Sequence, residues 1–308
     1  MQGTLSLNGT WSLAHNDDFP RFLTAETLPG RFTLPARVPA PIHQVLMDAG
    51  MLDDPRYGRN SLKARWVEEC YWAYRRTFTP APEYIAGTPS WLVFERLEMD
   101  AVIYLNGQEI GRHSNAHRPA RFDVTQWLRP EGENVLVVLI DAGLFDVSEK
   151  PGIDYRDSPQ ARLTKIHWHR RGQWQRGWDW QQRLLNVGIL GDVRLEWSDQ
   201  PIVEQWKVFA TVSDDLQTAT YHARASVLNP TDRPVTTTIH MDADGLFAEE
   251  TALLPPGRSD IAVRVDQDNP PLWWPIGHGP QNRVGVHVQL TTETGFSGEV
   301  TRFVGVRK

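Results

Sequence analysis

YHARASVLNPTDRPVTTTIHM, residues 221–241, is the stretch on which the fold turns. Tyr221, Ala223, Ala225 and Val227 alternate with His222, Arg224 and Ser226, a period of two that predicts a half-buried strand. Leu228 breaks the alternation, and Asn-Pro-Thr-Asp-Arg-Pro follows with the residue types that build turns. Val235, Thr237, Ile239 and Met241 then begin the same alternation again. Outward from this hairpin the pattern repeats. WLVFERLEMDAVIYLNGQEIG (residues 91–111) reads as one strand and then a second, turned back at Asn106-Gly107. VLVVLID (135–141) is continuously apolar and predicts a strand buried on both faces. Helical period is confined to PIHQVLMDAG (41–50), where Ile42, Val45, Leu46 and Ala49 share a face and Gly50 supplies the stop. Short strands separated by turns predict an all-β chain of sandwiches rather than a parallel α/β fold.

The 308 residues are enough for two cores. A polar break at Ser198-Asp199-Gln200-Pro201 divides them into 1–200, of a size that suits a jelly-roll β-sandwich, and 201–308, of immunoglobulin-like size. With 32 basic against 38 acidic side chains the net charge is −6, which argues against nucleic acid or anionic membrane as partner. Cys70 is the only cysteine, so no internal disulfide can form. The first residues show neither a basic nor an apolar leader segment, and no apolar run approaches membrane-spanning length. The expectation is a soluble, cytoplasmic protein.

One stretch does not fit a packing role. HWHRRGQWQRGWDWQQR (167–183) holds four of the chain's 13 tryptophans, together with Arg170, Arg171, Arg176 and Arg183 and a single acid, Asp179. Indoles pack on the C–H faces of sugars and a carboxylate accepts hydroxyl protons, so Trp beside Asp suits carbohydrate. A structural loop with Asp179 ion-paired to Arg170, Arg171 or Arg176 accounts for the composition equally. His167 and His169 could grip a metal, but no third ligand accompanies them and no metal or cofactor is expected. Trp11, Trp66, Trp72, Trp91 and Trp127 lie in strand-like contexts and are expected in the core. Glycoside hydrolysis needs two carboxyl groups facing one bond. The adjacent pairs Asp53-Asp54 and Glu68-Glu69 do not supply them: Asp54-Pro55 reads as a turn, and neighbours on an extended strand point to opposite faces.

Several segments, in order, carry a resemblance. LNGTWSL (7–13), VPAPIHQVLMDAGMLDDPRYGRN (38–60), WVEECYWAYRRTFTP (66–80), LNGQEIGRHSNAHRPARFDVT (105–125) and RRGQWQRGWDW (170–180) resemble the amino-terminal domain of glycoside hydrolase family 2. LWWPIGHGPQ (272–281) and FVGVRK (303–308) resemble the segment leading into that family's catalytic barrel. Gly177-Trp178-Asp179-Trp180 and the turn at Asp54-Pro55 are similar to the β-mannosidase branch, from which Gly188-Ile189-Leu190 departs by lacking a tryptophan.

The resemblance implies a retaining exo-glycosidase whose two catalytic glutamates lie in a β/α barrel. One of them follows an asparagine there, and this chain has no Asn-Glu dipeptide and no strand–helix alternation. No catalytic residue is therefore assigned, and the chain is expected to be an inactive fragment whose partners are the barrel and a terminal β-mannoside. It further implies that Trp178, Asp179 and Trp180, with Arg170 and Arg171 beside them, contact the sugar. Trp273-Trp274-Pro275 is expected as an interdomain wedge. Rival readings are another family 2 specificity (β-galactosidase, β-glucuronidase or exo-glucosaminidase), a free-standing carbohydrate-binding module, and a scaffold that only orients the barrel.

Overall fold

A computed structural model describes residues 2–16, 32–152, 165–177 and 179–308. Trp178 lies outside them. The chain is all-β and divides into two compact units, Gly3–Trp197 and, apart from the first two residues, Ser198–Lys308. Among the described residues no helix is long and apolar enough to cross a membrane.

In the larger unit a six-stranded antiparallel sheet runs in the order Leu34–Val38, Gly9–Asn16, Tyr71–Phe78, Asn134–Asp141, Asp100–Leu105, Gln108–His113. A four-stranded sheet runs Gln2–Ser6, Val193–Ser198, Ser90–Phe94, Ala120–Asp123. Trp11, Trp72, Tyr74 and Ile103 from the first sheet meet Leu92, Phe94 and Trp197 from the second in one core. Trp91 is buried as well, and Trp66 and Trp127 pack half-buried against that core. Asn134–Asp141 is central, and its two faces go to different clusters. Leu136, Val138 and Ile140 enter the main core, while Val137 and Leu139 pack with Ala73 and Tyr104 on the reverse side. That is why its sequence does not alternate. Asn106 and Gly107 both take positive φ, 52° and 86°, the hairpin turn that matches strand twist. The Asn106 amide also donates to the Trp127 carbonyl at 2.8 Å and accepts from the Val135 N–H at 2.9 Å.

The smaller unit packs a three-stranded sheet (Ile202–Val212, Thr218–Asn229, Gly257–Asp268) on a four-stranded one (Leu246–Leu254, Val235–Ala243, Val284–Thr292, Gly295–Val304). Tyr221, Ala223, Ala225 and Val227 are buried, as are Ile239 and Met241 opposite. The strand runs on past Leu228 to Asn229, which is buried because its amide builds the following turn: it donates to Arg233 O and accepts from Thr231 N.

The helix forms over Ile42–Asp48, but Ala49, expected on its buried face, caps the end and is exposed. Glu68 and Glu69 are not on a strand. They end a 3-10 turn, Arg65–Glu69, and the strand begins only at Tyr71. Asp54 makes the expected turn, taking the Arg56 N–H at 2.9 Å.

Candidate functional site

The Trp/Arg segment is folded around two acids that come from elsewhere in the chain. Glu98, at the end of the two-residue strand Leu97–Glu98, pairs in register with Gly188 and is fully buried. Its Oε2 accepts from Arg171 Nη2 at 3.0 Å and from Gln175 Nε2 at 3.1 Å, and its Oε1 accepts from Arg96 Nε at 3.1 Å. Glu68, equally buried, accepts from Arg183 Nε and Nη2 at 2.9 and 2.6 Å and from the Leu185 N–H at 3.3 Å. Residues 171 and 183 are thus tied to the body of the unit on both sides of the Trp/Asp tip.

The span between them is braced by its own backbone. Gln173–Arg176 is a 3-10 turn. The Gln175 carbonyl accepts from Leu184 N at 2.8 Å, and its side-chain oxygen accepts from Asn186 N at 3.0 Å. The Arg170 carbonyl accepts from Ala116 N at 2.9 Å, which fixes the entry of the loop.

Beneath the loop lies a buried polar layer. His169 Nδ1 accepts from Arg176 Nη2 at 2.5 Å, so its other nitrogen carries the proton and donates to the Gly143 carbonyl at 2.7 Å. Burial, reinforced by Arg176, lowers the His169 pKa to about 4. Burial likewise lowers that of Arg176 to about 10, with Arg183 and Arg171 adding to the effect. A neutral imidazole with both nitrogens engaged is no metal ligand, and among the described residues no His/Cys/Asp/Glu group is placed to hold a metal.

Asp100 and Asp141 face each other across adjacent strands. Asp141 accepts from Gly143 N at 2.6 Å, whereas the Asp100 oxygens are buried without a hydrogen-bond partner among the described residues. Burial raises Asp100 to about 6, helped by Asp146, and Asp141 to about 7, helped by Asp100. Gly143 is where this layer is tightest: a Cβ there would come within 3.0 Å of His169 Nε2 and 3.1 Å of Asp100 Oδ2.

The expected sugar-contacting residues are therefore placed differently from one another. Asp179 and Trp180 sit on an exposed turn, Trp180 at 79% exposure. Among the described residues Asp179 makes no ion pair. Of the arginines weighed as its partners, Arg171 goes to Glu98, Arg176 to His169, and Arg170 is exposed. Arg171 was expected at the sugar beside Arg170. It is 4% exposed and directed inward, donating also to the Ala142 and Asn186 carbonyls, because a guanidinium this deep is satisfied only by Glu98 and fixed carbonyls. Trp168 and Trp174 are exposed at 43% and 55%, the first donating from Nε1 to Pro151 O at 2.9 Å.

The sequence reading missed Glu98, Gln175, Asp100 and Asp141, and took Glu68 only as half of a rejected pair. The available signals were the acids that interrupt apolar sequence at FERLEMD and at WVEECYW, yet the arginines that meet Glu98 and Glu68 lie 73 and 115 residues away.

The larger unit is thus an all-β sandwich with an aromatic, acid-bearing loop at its surface. The chain belongs to the glycosyl hydrolase 2 galactose-binding domain-like family, whose model matches residues 11–191. Beta-mannosidase B of Emericella nidulans is 32% identical over 278 residues, covering 88% of this chain and 32% of that protein. Beta-mannosidase B of Aspergillus clavatus is 30% identical with the same coverage. The chain thus spans about a third of the length of these relatives. Among solved structures, a β-D-mannosidase from Dictyoglomus thermophilum superimposes with TM-score 0.80 at 27% identity, covering 99% of this chain and 36% of that one. An exo-chitosanase from Amycolatopsis orientalis, at TM-score 0.68 and 21% identity, shares the fold.

Proposed function

We propose that this chain is the amino-terminal, non-catalytic part of a retaining exo-glycosidase of β-mannosidase type, and that its Trp/Asp loop forms one wall of the pocket for a terminal β-mannoside. Residues 1–200 serve as the jelly-roll domain and 201–308 as an immunoglobulin-like domain leading to a β/α barrel of the same polypeptide. That barrel supplies both carboxylates, about 5 Å apart as a retaining mechanism requires. Asp179 accepts hydrogen bonds from sugar hydroxyls and Trp180 packs against the C–H face; Trp178, outside the described residues, is assigned to the same sugar contact from the sequence alone. Arg170 reaches the ligand from the loop entry, while Arg171 acts by holding the loop to Glu98. A cytoplasmic setting is supported by the single, buried cysteine, Cys70.

The observation that carries the reading is the anchoring. Arg171–Glu98 and Arg183–Glu68 fix the two ends of the loop, and Asp179 is left exposed between them without an ion pair among the described residues. An acid kept for scaffolding would be among the arginines.

The chain by itself is expected not to hydrolyse aryl β-mannosides and to bind mannose only weakly, since one wall buries little ligand surface. Turnover by the purified chain that disappears on mutating an acid within residues 1–308 would contradict the proposal.

A further inference from the structure

The outer face of the three-stranded sheet in the smaller unit carries a second group of sugar-compatible side chains. Phe209, His222 and Arg264 stand in one cross-strand row, and Lys207, Arg224 and Ala262 in the next. The Phe209 ring lies flat on the His222 imidazole, centroids 4.7 Å apart and planes inclined by 11°. Thr211 Oγ1, 3.0 Å from His222 Nε2, fixes the imidazole. Burial, with Arg264 beside it, lowers the His222 pKa and favours the neutral ring. Glu249 and Glu250 of the strand Leu246–Leu254 form the far wall of a groove of about 520 Å³. That volume falls within the range of about 300–1,000 Å³ typical of small-molecule sites.

Packing does not explain this face. The core side of the same strands is already filled by Tyr221, Ala223, Ile261 and Val263, and Phe209 points the other way, into solvent. Ala262 leaves a dip between longer side chains. Lys207 stands directly opposite Arg224, a like-charge pairing that weakens a sheet, and Asp260 neutralises only Arg224. Arg264 and Glu250 make no ion pair among the described residues, while Glu249 faces His240 at 3.2 Å.

The charges set the ligand class. Lys207, Arg224 and Arg264 are balanced by Glu250, Asp260 and Asp266, the last acting on His222, so a charged ligand gains no net attraction. An uncharged polyhydroxyl ligand uses both signs: donors from Arg264 and an acceptor in Glu250 for vicinal hydroxyls, with a ring to receive the C–H face. Lys207 Nζ rests 4.9 Å from the Phe209 centroid, where that face would lie. An exposed cation–π contact of this kind is weak and readily exchanged. We propose that this groove binds a neutral oligosaccharide, as a site independent of the Trp/Asp loop, since every residue lining it belongs to the other compact unit.

Calorimetric titration of the chain with β-1,4-mannohexaose and cellohexaose, and with hexagalacturonate for comparison, tests this. Saturable binding of a neutral hexasaccharide is expected. Phe209→Ala and Arg264→Gln, both at exposed positions, should each weaken it about tenfold. Asp179→Asn should leave it unchanged, and melting curves of the three variants should match the unmodified chain. No saturable binding of either neutral sugar, or tighter binding of hexagalacturonate, would overturn the proposal. So would binding that survives Phe209→Ala and Arg264→Gln, or that is lost with Asp179→Asn.

Discussion

Glu98 holds Arg171, Gln175 and Arg96 at once, from a position with no solvent access. A buried ion pair contributes little relative to a well-packed apolar replacement, but removing one partner strands the other's charge in the interior. Glu98→Ala is therefore expected to destabilise the larger unit by about 3–5 kcal/mol, seen as a lower melting temperature. Glu98→Gln, which keeps an acceptor for Arg171, should cost less. Equal melting temperatures for Glu98→Ala and the unmodified chain would show that the loop is not held there. The sequence singled out the Trp/Asp stretch but did not separate a sugar-contacting turn from an ion-paired loop, and the exposure of Asp179 and Trp180 is what the structure adds. The anchors were not legible. Arg171 and Arg170 are adjacent and chemically identical in sequence, and only the position of Glu98, 73 residues away, turns one inward.

At the scale of elements, register places Asp100 against Asp141, on the strands Asp100–Leu105 and Asn134–Asp141. Lys150 and Arg171 only partly oppose the effect of burial, and the pair ends with pKa values raised to about 6 and about 7 from 3.8. Below the unfolded value both carboxyls are protonated in both states and cost nothing. As pH rises the unfolded chain releases its protons first, so stability falls through this window and the loss is complete above about 7. His169 acts oppositely: its pKa of about 4 against 6.5 means stability is lost as pH falls between those values. Asp100→Asn should therefore raise stability by about 3 kcal/mol near pH 8, by about half as much near pH 5, and by almost nothing near pH 3. Melting temperatures shifted equally at all three pH values would contradict a charge origin.

The strands themselves were readable wherever one face is wet, as in residues 221–241, and so was the Asn106-Gly107 turn. Where both faces are covered, as at 135–141, the apolar run still betrayed a central strand. What escaped the period was the short 3-10 turn at Arg65–Glu69, because three to five residues carry too little pattern to distinguish a tight turn from a strand.

At the scale of the whole molecule, each unit closes a core from its own residues, with Trp11, Trp72 and Trp197 in one and Tyr221, Ile239 and Val286 in the other. A fold with complete cores leaves surface features free to serve a ligand, which is why the placement of Asp179 bears on function. Replacing it by Asn keeps the shape and removes the charge, and a charge-assisted hydrogen bond contributes about 1.5–3 kcal/mol. The decisive measurement is kcat/KM on an aryl β-mannoside for a full-length enzyme carrying this chain, with and without Asp179→Asn, alongside thermal melts of the chain itself. The expected result is a fall of about ten- to a hundredfold in kcat/KM with the melting temperature of the chain unchanged. Unchanged kinetics with a destabilised chain would show that Asp179 is scaffolding and that the loop is not a wall of the sugar pocket.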